Sequence, residues 1–272
     1  MKTNQIAHAI LFSLATLNCY RVLAQSTARN FKQPQSPNSS PLEHSEGLGS
    51  RVVDFKQPPP DDNAPTGRTR GTGTRGECPI KVTPIIPLDS KGLTVAESPT
   101  IWFYVNYPAN ASTNNVTGEV SLEDTQTYNQ LAPRKTTVSL PATSGVFSIT
   151  LPHSLAQEQW YRWYLAINCN SIANSNSNSI LVIEGLVSRV APQNRLAATI
   201  QEEVASYAQQ GIWYDALNSA ATLACQNSPQ DRAWMSLLNH DSVQLNEIAQ
   251  VSLICQQETA NQLSKNVQFR EK

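Results

Sequence analysis

Charge is scarce in this chain. Only 15% of its 272 residues are Asp, Glu, Lys or Arg, and 21 acids against 20 bases leave a formal net charge of -1. The basic residues are spread out, so there is no electrostatic footprint for nucleic acid or anionic membrane. Histidine is scarcer still. Beyond the N-terminal stretch there are only His44, His153 and His240, and no Ser or Cys elbow accompanies them, which argues against nucleophilic catalysis. There is no Cys-x-x-Cys and no His at ligand spacing, so no zinc or redox motif is formed. No phosphate loop or cofactor motif remains either, and neither a metal nor a cofactor is expected. Long apolar runs are missing too. The longest, Ile6 to Leu17, falls short of the roughly 20 residues a spanning helix needs.

That short run has another use. Lys2 supplies a positive start, Ile6 to Leu17 an apolar core, and Val22-Leu23-Ala24 a small-residue cleavage site before Gln25, the layout of a secretory signal over residues 1–24. The expected mature chain is exported, periplasmic or extracellular after cleavage near Ala24, with no membrane span. Thr16-Leu17-Asn18 lacks the small residue wanted before a lipid-bearing Cys19, so lipidation is not expected. Export changes how Cys78, Cys169, Cys225 and Cys255 are read, because oxidising compartments preserve disulfides. Four cysteines allow three connectivities. Assignment by segment pairs Cys78 with Cys169 in the β-rich part and Cys225 with Cys255 in the helical part.

Residues 25–77 are rich in Pro, Ser, Gly, Asn and Gln with almost no apolar run. That offers too little burial to offset ordering entropy, so a disordered spacer is expected. Within it Phe31-Lys-Gln-Pro34 recurs as Phe55-Lys-Gln-Pro58, either a duplicated docking peptide or drift in a biased segment. Gly71-Thr-Gly73-Thr-Arg-Gly76 matches G-x-G-x-x-G literally. A dinucleotide loop must follow a buried strand and open a helix. Pro-rich chain precedes this one and Cys78-Pro79 follows, so it reads as linker.

From residue 78 to 191 short alternating runs are separated by turn residues at the spacing of an all-β sandwich. Candidate strands are Lys81 to Ile86, Thr100 to Tyr107, Thr117 to Leu122, Thr125 to Leu131, Lys135 to Leu140, Val146 to Leu151, Gln159 to Cys169 and Ile180 to Val190. The strands at Thr100 and Gln159 are bulky on both faces and belong at the centre of the same or facing sheets. The last two candidates form the longest hairpin.

After Pro192 the period changes to 3.6. Leu196, Ile200, Val204 and Ala208 share one stripe, and after Gly211 so do Trp213, Ala216, Leu217, Ala220, Leu223 and Ala224. Ser228-Pro229 offers an N-cap for a third helix with Trp234, Leu237 and Leu238 inward. Tyr207, Gly211, Ala216 and Leu217 sit at the relative spacing of a single tetratricopeptide repeat. One repeat alone needs a neighbouring surface to cover. The helical region spans 192–258, docked on the sandwich, with a tail at 259–272.

Several ordered motifs resemble a known family. They are Gly92 to Tyr107, Gly145 to Pro152, Trp160 to Cys169, Val182 to Val190 and Tyr207 to Leu217. Together they resemble a cyanobacterial family of exported proteins, domain-of-unknown-function family 928, over most of Cys78 to Leu245. The resemblance implies architecture and location but no assigned activity. Where a short acidic turn would follow Cys169, this chain has Asn170-Ser-Ile-Ala-Asn-Ser-Asn-Ser-Asn-Ser179, which argues against a metal held there.

The resulting expectation is mainly β, an Ig-like or related antiparallel sandwich followed by a tetratricopeptide-like hairpin and a further helix. The expected function is non-catalytic: a protein-binding or assembly module of the cell envelope whose partner is an envelope or secreted protein. Trp213 and Tyr214 beside Gly211, or the polar tip at Asn170 to Ser179, are its candidate contacts. The alternative is a carbohydrate-binding module in which Trp102, Tyr104, Trp160, Arg162 and Tyr164 stack on a polysaccharide. Exposure separates the two, since a face covered by helices is core. A third reading, a glycan hydrolase, would use Glu97 and Glu184 facing across a cleft. Against it, Glu184 inside an apolar strand is explained by an ion pair with Arg162 or Arg189.

Overall fold

A computed structural model describes residues 53–58, 61, 64, 72–75, 78–109, 116–169, 179–191, 197–228 and 231–255. The strand that organises them is Thr100–Asn106 (β4), where aromatic and β-branched residues suit a pleated surface. It lies between Lys81–Pro84 (β2) and Gly145–Thr150 (β7), both antiparallel to it, in a three-stranded sheet. The larger sheet centres on Trp160–Asn168 (β8), between Thr117–Asp124 (β5) and Ile180–Arg189 (β9). Thr136–Ser139 (β6) adds to β5. Thr72–Arg75 (β1) runs antiparallel along the start of β9, and Lys91–Thr94 (β3) parallel along its end. Four helices follow: Ile200–Gln209 (α1), Trp213–Gln226 (α2), Arg232–Asn239 (α3) and Asn246–Ala249 (α4). Among the described residues no helix is long and apolar enough to cross a membrane.

β4 is covered on both faces, as its bulk requires. On one side the Phe103 ring meets Trp163 of β8 edge-on at 5.7 Å, joining the two sheets. On the other, Trp102 lies beneath the helices, its Nε1–H donating to Asn218 Oδ1 at 3.2 Å and its ring 6.1 Å from Trp234. The smaller sheet thus has the larger sheet against one face and helices against the other, while α2 also reaches the larger sheet directly.

One hydrogen-bonded chain ties α2 directly to two strands of the larger sheet. The Trp163 indole N–H donates to Tyr214 Oη at 2.9 Å, and that hydroxyl donates to the Leu186 carbonyl at 3.0 Å. Two glycines make room for the rings. A Cβ on Gly185 would lie 2.3 Å from the Trp163 ring, and one on Gly92 2.6 Å from Tyr214. Beside them Trp213 Nε1–H donates to the Ile85 carbonyl at 3.1 Å.

The structure departs from the sequence reading at several places, among them the short β3 and α4, which no candidate element covered. Val53 and Phe55, inside the expected spacer, are buried; average composition overlooks two apolar side chains spaced to dock together on an existing surface. The Gly71–Gly76 stretch, read as linker, contains β1, recruited by the free margin of β9. No strand forms over Thr125–Leu131, because the Asp124 carboxylate accepts the N–H groups of Gln126 and Thr127 and turns the chain. Finally, α3 starts later than expected. Its N-cap is Asp231, which accepts from Ala233 N–H at 2.9 Å, while Pro229 and Leu196 lie outside the described residues.

Cys78 is bonded to Cys169 and Cys225 to Cys255. The first bond ties the chain just ahead of β2 to the end of β8. The second holds residues 252–255 near β7, where Val146 exchanges backbone hydrogen bonds with Ser252 (3.1 Å) and Ile254 (2.7 Å). Replacing Cys225 and Cys255 by Ser is expected to lower stability by about 3 kcal/mol and, by freeing the β7 margin, to promote association. Urea denaturation and light scattering check both. Tyr214→Phe leaves the buried Trp163 indole N–H without its partner and is expected to cost about 2 kcal/mol, read as a lowered urea midpoint at unchanged slope.

Candidate functional site

The margins of the smaller sheet are treated differently. β7 is covered by the 252–254 segment, whereas among the described residues no strand pairs with β2 except β4. Ile85 N–H donates to the Trp102 carbonyl at 2.9 Å. Alternate residues of an antiparallel strand point the same way, so Val82 and Pro84 present their backbone outward. Pro84 has no N–H to offer, which suits an outer margin. What remains is one donor at Val82 and the carbonyls of Val82 and Pro84. Along this margin lies a groove of 560 Å³ whose lining includes Lys81, Thr83, Tyr104, Leu245, Ile248 and Val251. Lys81 and Glu247 place opposite charges on it. The groove mixes polar and apolar lining and lies beside the outward-facing backbone groups of β2.

The residues expected to form a site are not brought together. Trp102 and Trp160 are each only 7% exposed and sit in different sheets. The Trp160 indole is occupied by Asp61, accepting from Nε1–H at 2.8 Å. Trp213 and Tyr214, candidates for an exposed contact, are fully buried at the joint between helices and sheets. A helical or strand period shows which side chains share a face, and these faces are covered by a third layer that periodicity does not register. Tyr104, Arg162 and Tyr164 stay half-exposed, Tyr104 in the groove and the other two on β8. Five residues thus do not make one stacking platform.

On that β8 surface Arg162 pairs with Glu184 at 3.2 Å, the ion-pair explanation for an acid in this strand. Partial burial, then the nearby Glu123 carboxylate, push the Tyr164 phenol above its ordinary range, with Arg162 opposing. Glu97 is engaged elsewhere: it accepts the Ser154 hydroxyl, and its backbone carbonyl accepts Leu155 N–H at 2.9 Å. The two carboxylates therefore have separate partners. His153 is buried, with Nε2 against the Pro133 carbonyl at 2.8 Å and Nδ1 unpartnered. It does not serve the adjacent Ser154 as a base. Of the polar hairpin tip, Asn170 to Asn178 lie outside the described residues, and Ser179 is buried.

The most perturbed carboxylate, Asp215, was missed in the sequence because it sits among ordinary helix residues. Near the N-terminus of α2 it accepts Val95 N–H at 3.0 Å. Burial raises its pKa above the ordinary carboxylate value, and bonds from Thr94 and Val95 only partly offset this. Since it lies at the joint of β3 with α2 and away from the groove, its role is to hold those elements together. A carboxyl whose folded pKa is raised binds more protons folded than unfolded. Stability therefore falls as pH rises from the ordinary carboxylate value through the raised one, and is level above it. Asp215→Asn is expected to remove that fall, seen as a flatter urea midpoint as pH rises from about 4.

Fold and site together define a disulfide-bonded, mainly β protein with a helical C-terminal cover and a groove at one open sheet margin. The chain belongs to the family described as Domain of Unknown Function (DUF928), matched over residues 66–253. That span begins before β1 and ends at Leu253, the residue bridged to β7. No curated protein matches the chain.

Proposed function

We propose that the protein is an exported, non-catalytic binding or assembly module of the cell envelope, and that the β2 groove receives a partner protein as a short extended segment. In this reading residues 1–24 are a signal removed on export from a cyanobacterial cell, and the mature chain is periplasmic or extracellular. The two sheets make an immunoglobulin-like or related sandwich, and α1 with α2 a tetratricopeptide-like hairpin. The observation that carries the proposal is the asymmetry of the smaller sheet, covered at β7 and open at β2 beside a groove. Two disulfides support an oxidising location.

Polysaccharide binding has less behind it, since the two tryptophans of its platform are buried. Glycan hydrolysis needs two carboxyls flanking one bond, and Glu97 and Glu184 are held by different partners. A photo-crosslinking residue placed at exposed Lys81 in the full chain tests the proposal, with Tyr128, 76% exposed in a turn after β5, as control position. Discrete protein adducts in envelope fractions from position 81 and not from 128 are expected. Equal patterns from both, or protection of tryptophan from acrylamide by envelope polysaccharide, count against it.

A further inference from the structure

A second surface is already filled, by the chain itself. Residues 53–58 lie across the helical region with Val53 and Phe55 buried and Asp54 and Lys56 exposed. The Phe55 ring meets Trp213 edge-on at 4.9 Å and His240 at 5.8 Å. Lys56 N–H donates to the Ala208 carbonyl at 3.0 Å, and Ser236 Oγ–H donates to the Val53 carbonyl at 2.7 Å. Gly211 completes the bed. It has a φ of +74°, and a Cβ there would lie 2.8 Å from the Lys56 carbonyl oxygen and 3.0 Å from the Pro58 ring.

The bed thus reads a Phe ring, the N–H that follows it and a Pro ring three residues on. All three recur in Phe31-Lys-Gln-Pro34, so each chain carries two such segments and one bed. The copies differ upstream: where Val53 precedes Phe55 by two residues, Arg29 precedes Phe31. The resident segment therefore has an extra buried side chain, and its attachment close by raises its local concentration.

We infer that this bed is a receptor for Phe-Lys-Gln-Pro, and that when a chain's own Phe55–Pro58 is displaced, Phe31–Pro34 of a second copy takes its place and links the two chains. This surface is separate from the β2 groove, so either assignment can fail alone.

The test uses the full chain carrying Phe55→Ala, and Lys56→Pro as a second variant that removes the N–H to Ala208 without emptying a core site. Each is made with and without Phe31→Ala. In light scattering, Phe55→Ala is expected to shift with concentration toward roughly twice the mass of the wild-type species. Adding Phe31→Ala should restore the wild-type mass. A synthetic peptide of residues 28–37 should dissociate the assembly, and its Phe31→Ala form should not. If Phe55→Ala does not fold by circular dichroism, the same comparison is read in Lys56→Pro. Three results overturn the inference: a folded variant with unchanged mass, a mass increase that persists with Phe31→Ala, or peptide capture by variants that remain at the wild-type mass.

Discussion

The Trp163 indole, the Tyr214 hydroxyl and the Leu186 carbonyl form the interaction on which the arrangement of layers depends. Each group is buried, so each would carry a desolvation cost if left alone, and the hydroxyl satisfies both others at once. Its donor ring comes from the centre of the larger sheet, its acceptor from the neighbouring strand and the phenol itself from α2. A helix sliding by one residue would break both bonds. The close fit of Trp163 against Gly185 and of Tyr214 against Gly92 leaves little room for another packing.

Around that anchor the helices act as a lid on the smaller sheet and as a bed for the 53–58 segment. Trp213 shows the double duty. Its indole N–H is fixed on the Ile85 carbonyl of the β2 exit, while its ring is the floor on which Phe55 stands. Bulk that in isolation resembles a recognition surface is used to join three pieces of chain. The groove at the β2 margin, by contrast, is lined by none of the buried tryptophans.

Much of the architecture was legible in the sequence. β4 and β8 announce central positions because they are bulky on both faces, and each is central in its sheet. The helical stripes identify Val204, Ala208, Trp213 and Leu217 as inward, all of them buried. The cysteine pairs follow from their segments. What was not legible depends on non-local partners. β1 and β3 are four residues each, with Gly and polar residues, and exist because β9 offers them a margin. Asp124 wins a local contest between side-chain and ladder hydrogen bonds, a competition that propensity averages away. The site residues were least legible of all, since exposure belongs to the third layer rather than to any one period.

The Cys225–Cys255 bond has a mechanical consequence. Because Cys255 is joined covalently to the C-terminal end of α2, a pull applied to the chain beyond it passes into that helix. The hydrogen bonds that hold residues 252–254 on β7 then lie inside a closed loop and bear no load. Whatever is tethered downstream of residue 255 can tug on this protein without peeling the 252–254 segment from the sheet.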